Sequence, residues 1–161
     1  MDRLGYGANS LRSRERSRTR KQSRGQQEID APQARMRVLH FYKSYYPDTV
    51  GGAETVIGQL ARGTKPFGVE STVLSLSRNP DGNTVFADGH WARKSRLDFE
   101  FASTGFSLSV FRDFARLAAE FDLVHYHFPW PLMDVAHFMA RHGKPSVVTY
   151  HSDIVRQQRL L

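Results

Sequence analysis

Three histidines stand where an α/β protein could do chemistry. His125 and His127 flank one tyrosine in Asp122-Leu-Val-His-Tyr-His127, and His151 follows Val147-Val-Thr-Tyr150. Both stretches read as strands, and a spacing of two puts His125 and His127 on the same face. Such a pair suits a metal, with His151 or Asp153 as a further ligand, or it hydrogen-bonds a polar ligand. No thiolate or carboxylate pattern accompanies it, which favours the second reading. His151 can donate to or accept from a sugar hydroxyl or a phosphate near neutral pH, or serve only as a satisfied core or capping group. A second feature is Gly51-Gly52-Ala53-Glu54, which leads directly into a helical pattern. Two glycines there let an anion such as a diphosphate reach backbone N–H groups at the positive end of the helix dipole, or they simply make a turn. Neither the G-x-G-x-x-G fingerprint nor the P-loop lysine is present, which argues against NAD and P-loop nucleotide binding. Glu54 reads as a favourable partner of the helix dipole. Phe128 and Trp130 form either an apolar wall for a ring-shaped ligand or a plug at the end of the core.

The elements that would position these residues alternate. Met36–Tyr42 reads as a buried strand. Ala53–Lys65 reads as a helix with Val56, Ile57, Leu60 and Ala61 on its inner face, ended by Pro66 and Gly68. Thr72–Leu76 is a second strand, residues 79–83 a turn, and Thr84–Ala87 a short strand, while Ala92–Gly105 carries no clear pattern. Phe111, Phe114, Ala115, Ala118 and Phe121 recur at helical spacing from about Ser107. Asp122–His127 is a third clear strand, Pro131 opens a helix towards His142, and Pro145–Tyr150 is a last strand. Strands joined by helices imply a parallel sheet covered on both faces, a Rossmann-like α/β domain. Its ligands bind beyond the carboxyl ends of the strands, where the histidines and the glycine pair lie.

Composition bounds the alternatives. The 161 residues carry a formal charge of +7, but residues 1–35 alone hold nine basic and four acidic side chains, so residues 36–161 are only +2. The first 35 residues are rich in Arg and Ser and too poor in apolar residues to offset ordering entropy, and are expected to be disordered. They read as an arm for RNA or acidic lipid, a transit peptide, or upstream sequence ahead of a true start at Met36. Cysteine is absent, which excludes disulfides, thiolate metal sites and a cysteine nucleophile. No apolar run reaches the ~18 residues of a membrane span, and residues 1–30 lack a secretory core.

Taken together, Met36-Arg-Val-Leu-His-Phe41, Tyr46-Pro-Asp-Thr-Val-Gly-Gly-Ala-Glu54, Asp122–His127 and Val147-Val-Thr-Tyr-His-Ser-Asp153 resemble the N-terminal domain of family 4 glycosyltransferases, retaining enzymes of the GT-B fold. Residues 125–131, 97–106 and 150–157 are most similar to mannosyl- and rhamnosyltransferases that build lipopolysaccharide O-antigen. The resemblance covers residues 36–161 and implies a Rossmann-like half of a GT-B enzyme. It implies that Gly51 and Gly52 approach the donor diphosphate, that His151 contacts the donor sugar near the reacting carbon, and that His127 lies on the acceptor side. It further implies no cofactor and no metal, a donor nucleotide sugar that is GDP-linked, and a lipid-linked oligosaccharide acceptor. The setting it implies is cytoplasmic, peripheral on the inner membrane, for which the sequence itself offers only Lys43, Tyr45, Tyr46, Arg93, Lys94 and Arg96 as a basic and aromatic surface. The donor domain of the family, with its two glutamates spaced eight apart, has no counterpart in this sequence. The helical-looking stretch Asp153–Leu161 is therefore expected to continue into a longer product, and the chain alone is expected not to transfer sugar. Two other classes compete: an α/β binding module or half-enzyme with a separate partner, and, ranked last, an Arg-rich nucleic-acid binder.

Overall fold

The computed structural model describes residues 35–80, 84–101 and 104–151. The basic arm, most of the turn at 79–83, Asp153 and the stretch to Leu161 lie outside the described residues. Eight strands and three α-helices follow in the order β1 (Met36–Phe41), α1 (Gly52–Thr64), β2 (Val69–Ser77), β3 (Thr84–Ala87), β4 (His90–Arg96), β5 (Phe99–Phe101), β6 (Thr104–Phe106), α2 (Ser109–Glu120), β7 (Leu123–Phe128), α3 (Pro131–Ala140) and β8 (Ser146–Tyr150). Six strands form one sheet in the order β3-β4-β2-β1-β7-β8, and β5 pairs with β6 in a separate hairpin. All pairings in the large sheet are parallel except β3 with β4. The expected parallel α/β sheet is therefore present, with an antiparallel edge strand added.

That edge comes from Asp88-Gly89, both at positive φ (47° and 83°), which turn β3 into β4. Such a two-residue turn matches the twist of a hairpin. β4, His-Trp-Ala-Arg-Lys-Ser-Arg, is too polar to read as a buried strand, yet it pairs with β2 from Thr72↔Trp91 to Ser77↔Arg96. β2 is longer than its apolar centre because pairing with β1 extends it back through Val69, Glu70 and Ser71, and pairing with β4 carries it on to Ser77.

The two faces of the sheet are unlike. Leu39 and Phe41 point to one side and join Leu74, Leu76, Val124 and Tyr126 beneath Val110, Phe114, Leu117 and Ala118 of α2 and Met133 and Ala136 of α3. Phe41 stacks on Phe114 at 4.5 Å and meets Trp130 edge-on at 5.0 Å. Trp130 is almost fully buried and its Nε1 donates to the Gly105 carbonyl at 3.1 Å, so it plugs the core. A Cβ on Gly105 would sit 3.0 Å from Leu76 Cδ1 and Leu97 Cδ1, so those side chains would have to give way. Val38, His40 and Tyr42 alternate to the other side. There α1 packs a narrower cluster of Ile57 with Tyr42, Tyr45, Val73 and Ala92. Its inner stripe is Ile57, Gly58 and Ala61, whereas Val56, expected inside, is 37% exposed. Gly58 takes the inner position because the Tyr45 hydroxyl lies 3.1 Å from where its Cβ would be.

Helix α2 starts two residues later than expected. Ser107 Oγ accepts the Val110 N–H at 3.1 Å and Asp98 accepts the Leu108 N–H at 2.8 Å, so side chains take up two N–H groups where the helix begins. Asp122, expected in β7, instead accepts the Arg37 N–H at 2.8 Å and ties β7 to β1. Strand β8 is an edge among the described residues, with Val147, Val148 and Tyr150 roughly half exposed.

Removing the ring that joins the sheet to both helices should be among the most damaging core changes. Phe41→Ala is expected to cost roughly 3 to 5 kcal/mol. Urea unfolding followed by tryptophan fluorescence would read this as a lowered midpoint with an unchanged slope.

Candidate functional site

The chain runs from β1 outward through β2 to β4, then returns to place β7 on the other side of β1. The strand order therefore reverses between β1 and β7, and ligands of open α/β sheets bind in the crevice at such a point. The histidines meet there. β1 and β7 pair in register with His40 beside His125, and β7 and β8 pair with His127 beside Thr149. In parallel register, neighbours share a face, so His40, His125, His127 and Thr149 all point to the α1 side, and His151 follows two residues beyond Thr149.

Contacts link them into a chain. His40 Nδ1 lies 3.0 Å from His127 Nε2, and His127 Nδ1 lies 2.9 Å from His151 Nε2. At the inner end, His40 Nε2 is 3.3 Å from Ser71 Oγ. His125 stacks on His127 with ring centroids 4.2 Å apart, and its Nε2 is 2.8 Å from Thr149 Oγ1. His127 is fully buried, His40 is 3% exposed, and His151 lies at the rim. Ring nitrogens of His40, His125 and His127 lie within 4.8 Å of one another, a grouping that could converge on a cation. The nitrogens of His40 and His127 that would do so are engaged by neighbouring side chains.

Burial, and then mutual repulsion among the rings, pushes His40 down to about 3 and His127 to about 2 from the ordinary 6.5. Both rings are neutral at physiological pH. His125 and His151 are also lowered, chiefly by desolvation, and the Glu54 carboxylate works in the opposite direction on His151. The same carboxylate, after burial, raises Tyr42, whose ring centre is 6.1 Å from that of His151. The first turn of α1 and the end of β8 thus feel one another's charge.

Gly51 and Gly52 lie at that helix entry, with Gly51 as N-cap and no side chain capping the first turn. Gly52 has open space around it. A Cβ on Gly51 would lie 2.7 Å from Glu54 Oε2. Glu54 does more than face the dipole: Oε1 accepts from Ser44 Oγ at 2.8 Å and Thr49 Oγ1 at 3.1 Å, closing the loop over its own helix.

Lys94 holds the same loop from below. It was expected on an exposed basic and aromatic surface, but Lys94 is 7% exposed and Tyr45 3%. That surface is not present as expected, because Lys94 turns inward to donate to the Tyr45 carbonyl at 2.8 Å and Ser75 Oγ at 2.9 Å and to pair with Asp48 at 2.9 Å. Ser77 Oγ donates to the other Asp48 oxygen at 2.9 Å, and Tyr45 Oη is 2.8 Å from His90 Nε2. Desolvation lowers the Lys94 ammonium below its usual value, and Asp48 opposes this. Sequence reasoning missed His40, Ser71, Asp48 and Lys94. The available signal was a histidine inside an apolar strand, since a buried polar group needs a partner.

A doubly covered, mainly parallel sheet with its polar groups gathered at the switch point defines an α/β ligand-binding domain. Residues 50–161 match the family described as Glycosyltransferase Family 4, and the chain belongs to that family. It is 57% identical over 126 residues to D-rhamnosyltransferase WbpZ of Pseudomonas aeruginosa, covering 78% of this chain and 33% of that protein. It is 45% identical over 126 residues to O-antigen chain mannosyltransferase C of Escherichia coli, covering 78% and 34%. The chain spans about a third of the length of the curated relatives it matches. Among the described residues no helix is long and apolar enough to cross a membrane.

Two predictions follow from the buried groups. Because His40 and His127 titrate far below 6.5 when folded, the unfolded chain binds more protons, and stability present above about pH 6.5 is lost as the pH falls. At pH 5 the slope of unfolding free energy against pH should reach at least about two protons, at about 1.4 kcal/mol per pH unit each. Urea titrations between pH 7.5 and 4.5 would measure it, and His127→Gln should remove about one proton from the slope. Lys94→Met should destabilise by roughly 2 to 4 kcal/mol, since it strands the Asp48 carboxylate and the Tyr45 carbonyl. Limited proteolysis should then cut between residues 45 and 52 faster than in the parent chain.

Proposed function

We propose that this domain is the acceptor-side half of a retaining hexosyltransferase that moves D-rhamnose or mannose from a GDP-linked donor to a lipid-linked glycan in O-antigen synthesis. The observation that carries the reading is the meeting of His151 and the α1 entry at the strand-order reversal, in a chain whose relatives bear the names of rhamnosyl- and mannosyltransferases. On this reading His151 hydrogen-bonds the donor sugar beside the reacting carbon, and Gly51 and Gly52 let the donor diphosphate approach the helix N-terminus. His127 acts through His151, since it is itself fully buried.

A cavity of about 400 Å³ opens at the ends of β1 and β2, lined by Lys43, Ser44, Asp48, Thr49, Arg78 and Glu100 among others. Polar groups of both signs at that density suit the hydroxyls of a saccharide. In a retaining transfer the acceptor hydroxyl attacks from the face the diphosphate leaves, so the domain contributes positioning and charge stabilisation and no nucleophile. The GDP moiety and most diphosphate contacts belong to a donor domain beyond this chain. The working protein lies on the cytoplasmic face of the inner membrane, where a lipid-linked acceptor is presented.

A chimera tests this. Residues 36–161 replace the matching segment of the Pseudomonas aeruginosa relative, and transfer from GDP-D-rhamnose and GDP-mannose to a lipid-linked acceptor is assayed. The chimera should transfer one of these sugars, whereas the 161-residue chain alone should not, and His151→Ala in the chimera should lower kcat by about 100-fold or more. A folded chimera inert with both donors would overturn the reading.

A further inference from the structure

We propose that Ser71 and His40, acting through His127, hold His151 in its Nδ1–H form, so that the rim imidazole faces the cleft as a hydrogen-bond donor and cannot serve as a base. The functional meaning rests on the reading of His151 given above, but the hydrogen-bond order does not.

A neutral imidazole has one N–H and one bare nitrogen, and each contact in the chain needs one proton. Three rings linked end to end therefore admit only two orders. In the outward order the Ser71 hydroxyl donates to His40 Nε2, His40 Nδ1–H to His127 Nε2, and His127 Nδ1–H to His151 Nε2. In the inward order every bond reverses, and His40 Nε2–H donates to Ser71 Oγ. Any mixture sets two N–H groups, or two lone pairs, against each other in a buried place.

Ser71 decides between the two. It is 6% exposed, and among the described residues its hydroxyl has no partner other than His40. In the outward order its proton is used. In the inward order that proton is left buried without an acceptor, which is the costly outcome. A charged intermediate is no escape, because burial keeps both inner rings neutral. The rings cannot easily turn to evade the order: His127 lies between the stacked His125 and the edge of Tyr42, with ring centres at 4.2 and 6.4 Å.

The consequence reaches the chemistry. His151 Nε2 is occupied by the His127 proton and Nδ1 carries its own, so no lone pair is left to take a proton from an attacking hydroxyl. The ligand atom at Nδ1 must be an acceptor, a hydroxyl or phosphate oxygen. The proton of the incoming hydroxyl then goes to the leaving diphosphate oxygen as the glycosidic bond forms and the sugar–phosphate bond breaks. His40 and Ser71 touch no substrate and are positioning residues.

Nitrogen-15 labelling of the histidines in the 161-residue chain, with long-range proton–nitrogen correlation at pH 7.5, reads each tautomer directly. His40, His127 and His151 should all show Nδ1–H. Ser71→Ala should shift His151 towards the Nε2–H form favoured by free histidine, and Ser71→Thr, which keeps the hydroxyl, should restore Nδ1–H. An Nε2–H His151 in the parent chain would overturn the proposal, as would a tautomer pattern unchanged in a folded Ser71→Ala. Uptake of one zinc ion per chain at these rings, lost in His40→Gln, would overturn it too, since a metal would replace the hydrogen-bond chain. The parent measurement needs no variant to fold, and activity loss in the chimera's His151→Ala tests the functional reading separately.

Discussion

The unlike faces of one sheet are the constraint on which the rest depends. Alternation along β1 sends Leu39 and Phe41 to one side and Val38, His40 and Tyr42 to the other. The first side is largely apolar and aromatic, with Phe41 in contact with Phe114, Tyr126 and Trp130. Burial of each such ring contributes about 1.5 to 3 kcal/mol, and that side anchors the strands in register. The second side can then carry His40, His127, Ser71, Ser75 and Lys94 in buried positions. An unpartnered group there costs about 1 to 3 kcal/mol, so their bonds specify geometry as strictly as packing does elsewhere.

The polar face solves its burial problem in two different ways. Under the loop after β1 it keeps a charge, and the Lys94 ammonium meets a carboxylate, a carbonyl and a hydroxyl within 2.9 Å. At the strand-order reversal it discards charge, and neutral imidazoles bond to one another. The difference follows from the partners supplied. Asp48 comes from the loop that Lys94 must hold, while no carboxylate bonds to the histidine rings among the described residues. The outcome is a rim built of fixed dipoles over neutral supports. Fixed dipoles need no reorganisation when a charge develops beside them.

Much of this was legible in the sequence, and the gaps have physical causes. Strands β1, β2, β7 and β8 and all three helices follow from apolar period and from Pro and Gly punctuation. β4 did not, because its side chains are mostly polar and its pairing comes from position between β2 and β3. The Asp88-Gly89 turn was a readable hairpin signal that the mostly polar strand after it concealed. For the site, His127, His151 and the glycine pair stood out by spacing and resemblance. His40 did not, because its importance lies in register with β7, a non-local fact. Lys94 was misplaced for a related reason: a lysine in a polar run reads as surface, and only the loop folded over it makes it interior.

The glycine loop carries two opposing electrostatic influences at one helix entry. A helix N-terminus contributes about 0.3 to 1 kcal/mol to a nearby anion. Here the Glu54 carboxylate, tied to Ser44 and Thr49, already stands beside Gly51. A diphosphate approaching the same N–H groups meets that negative charge, which offsets an attraction of similar size. Lys94, a buried cation beneath the same loop, is already committed to Asp48. The loop's contribution is then close backbone approach, which the open space around Gly52 permits. His151 feels the same carboxylate, which opposes the effect of desolvation on its ring.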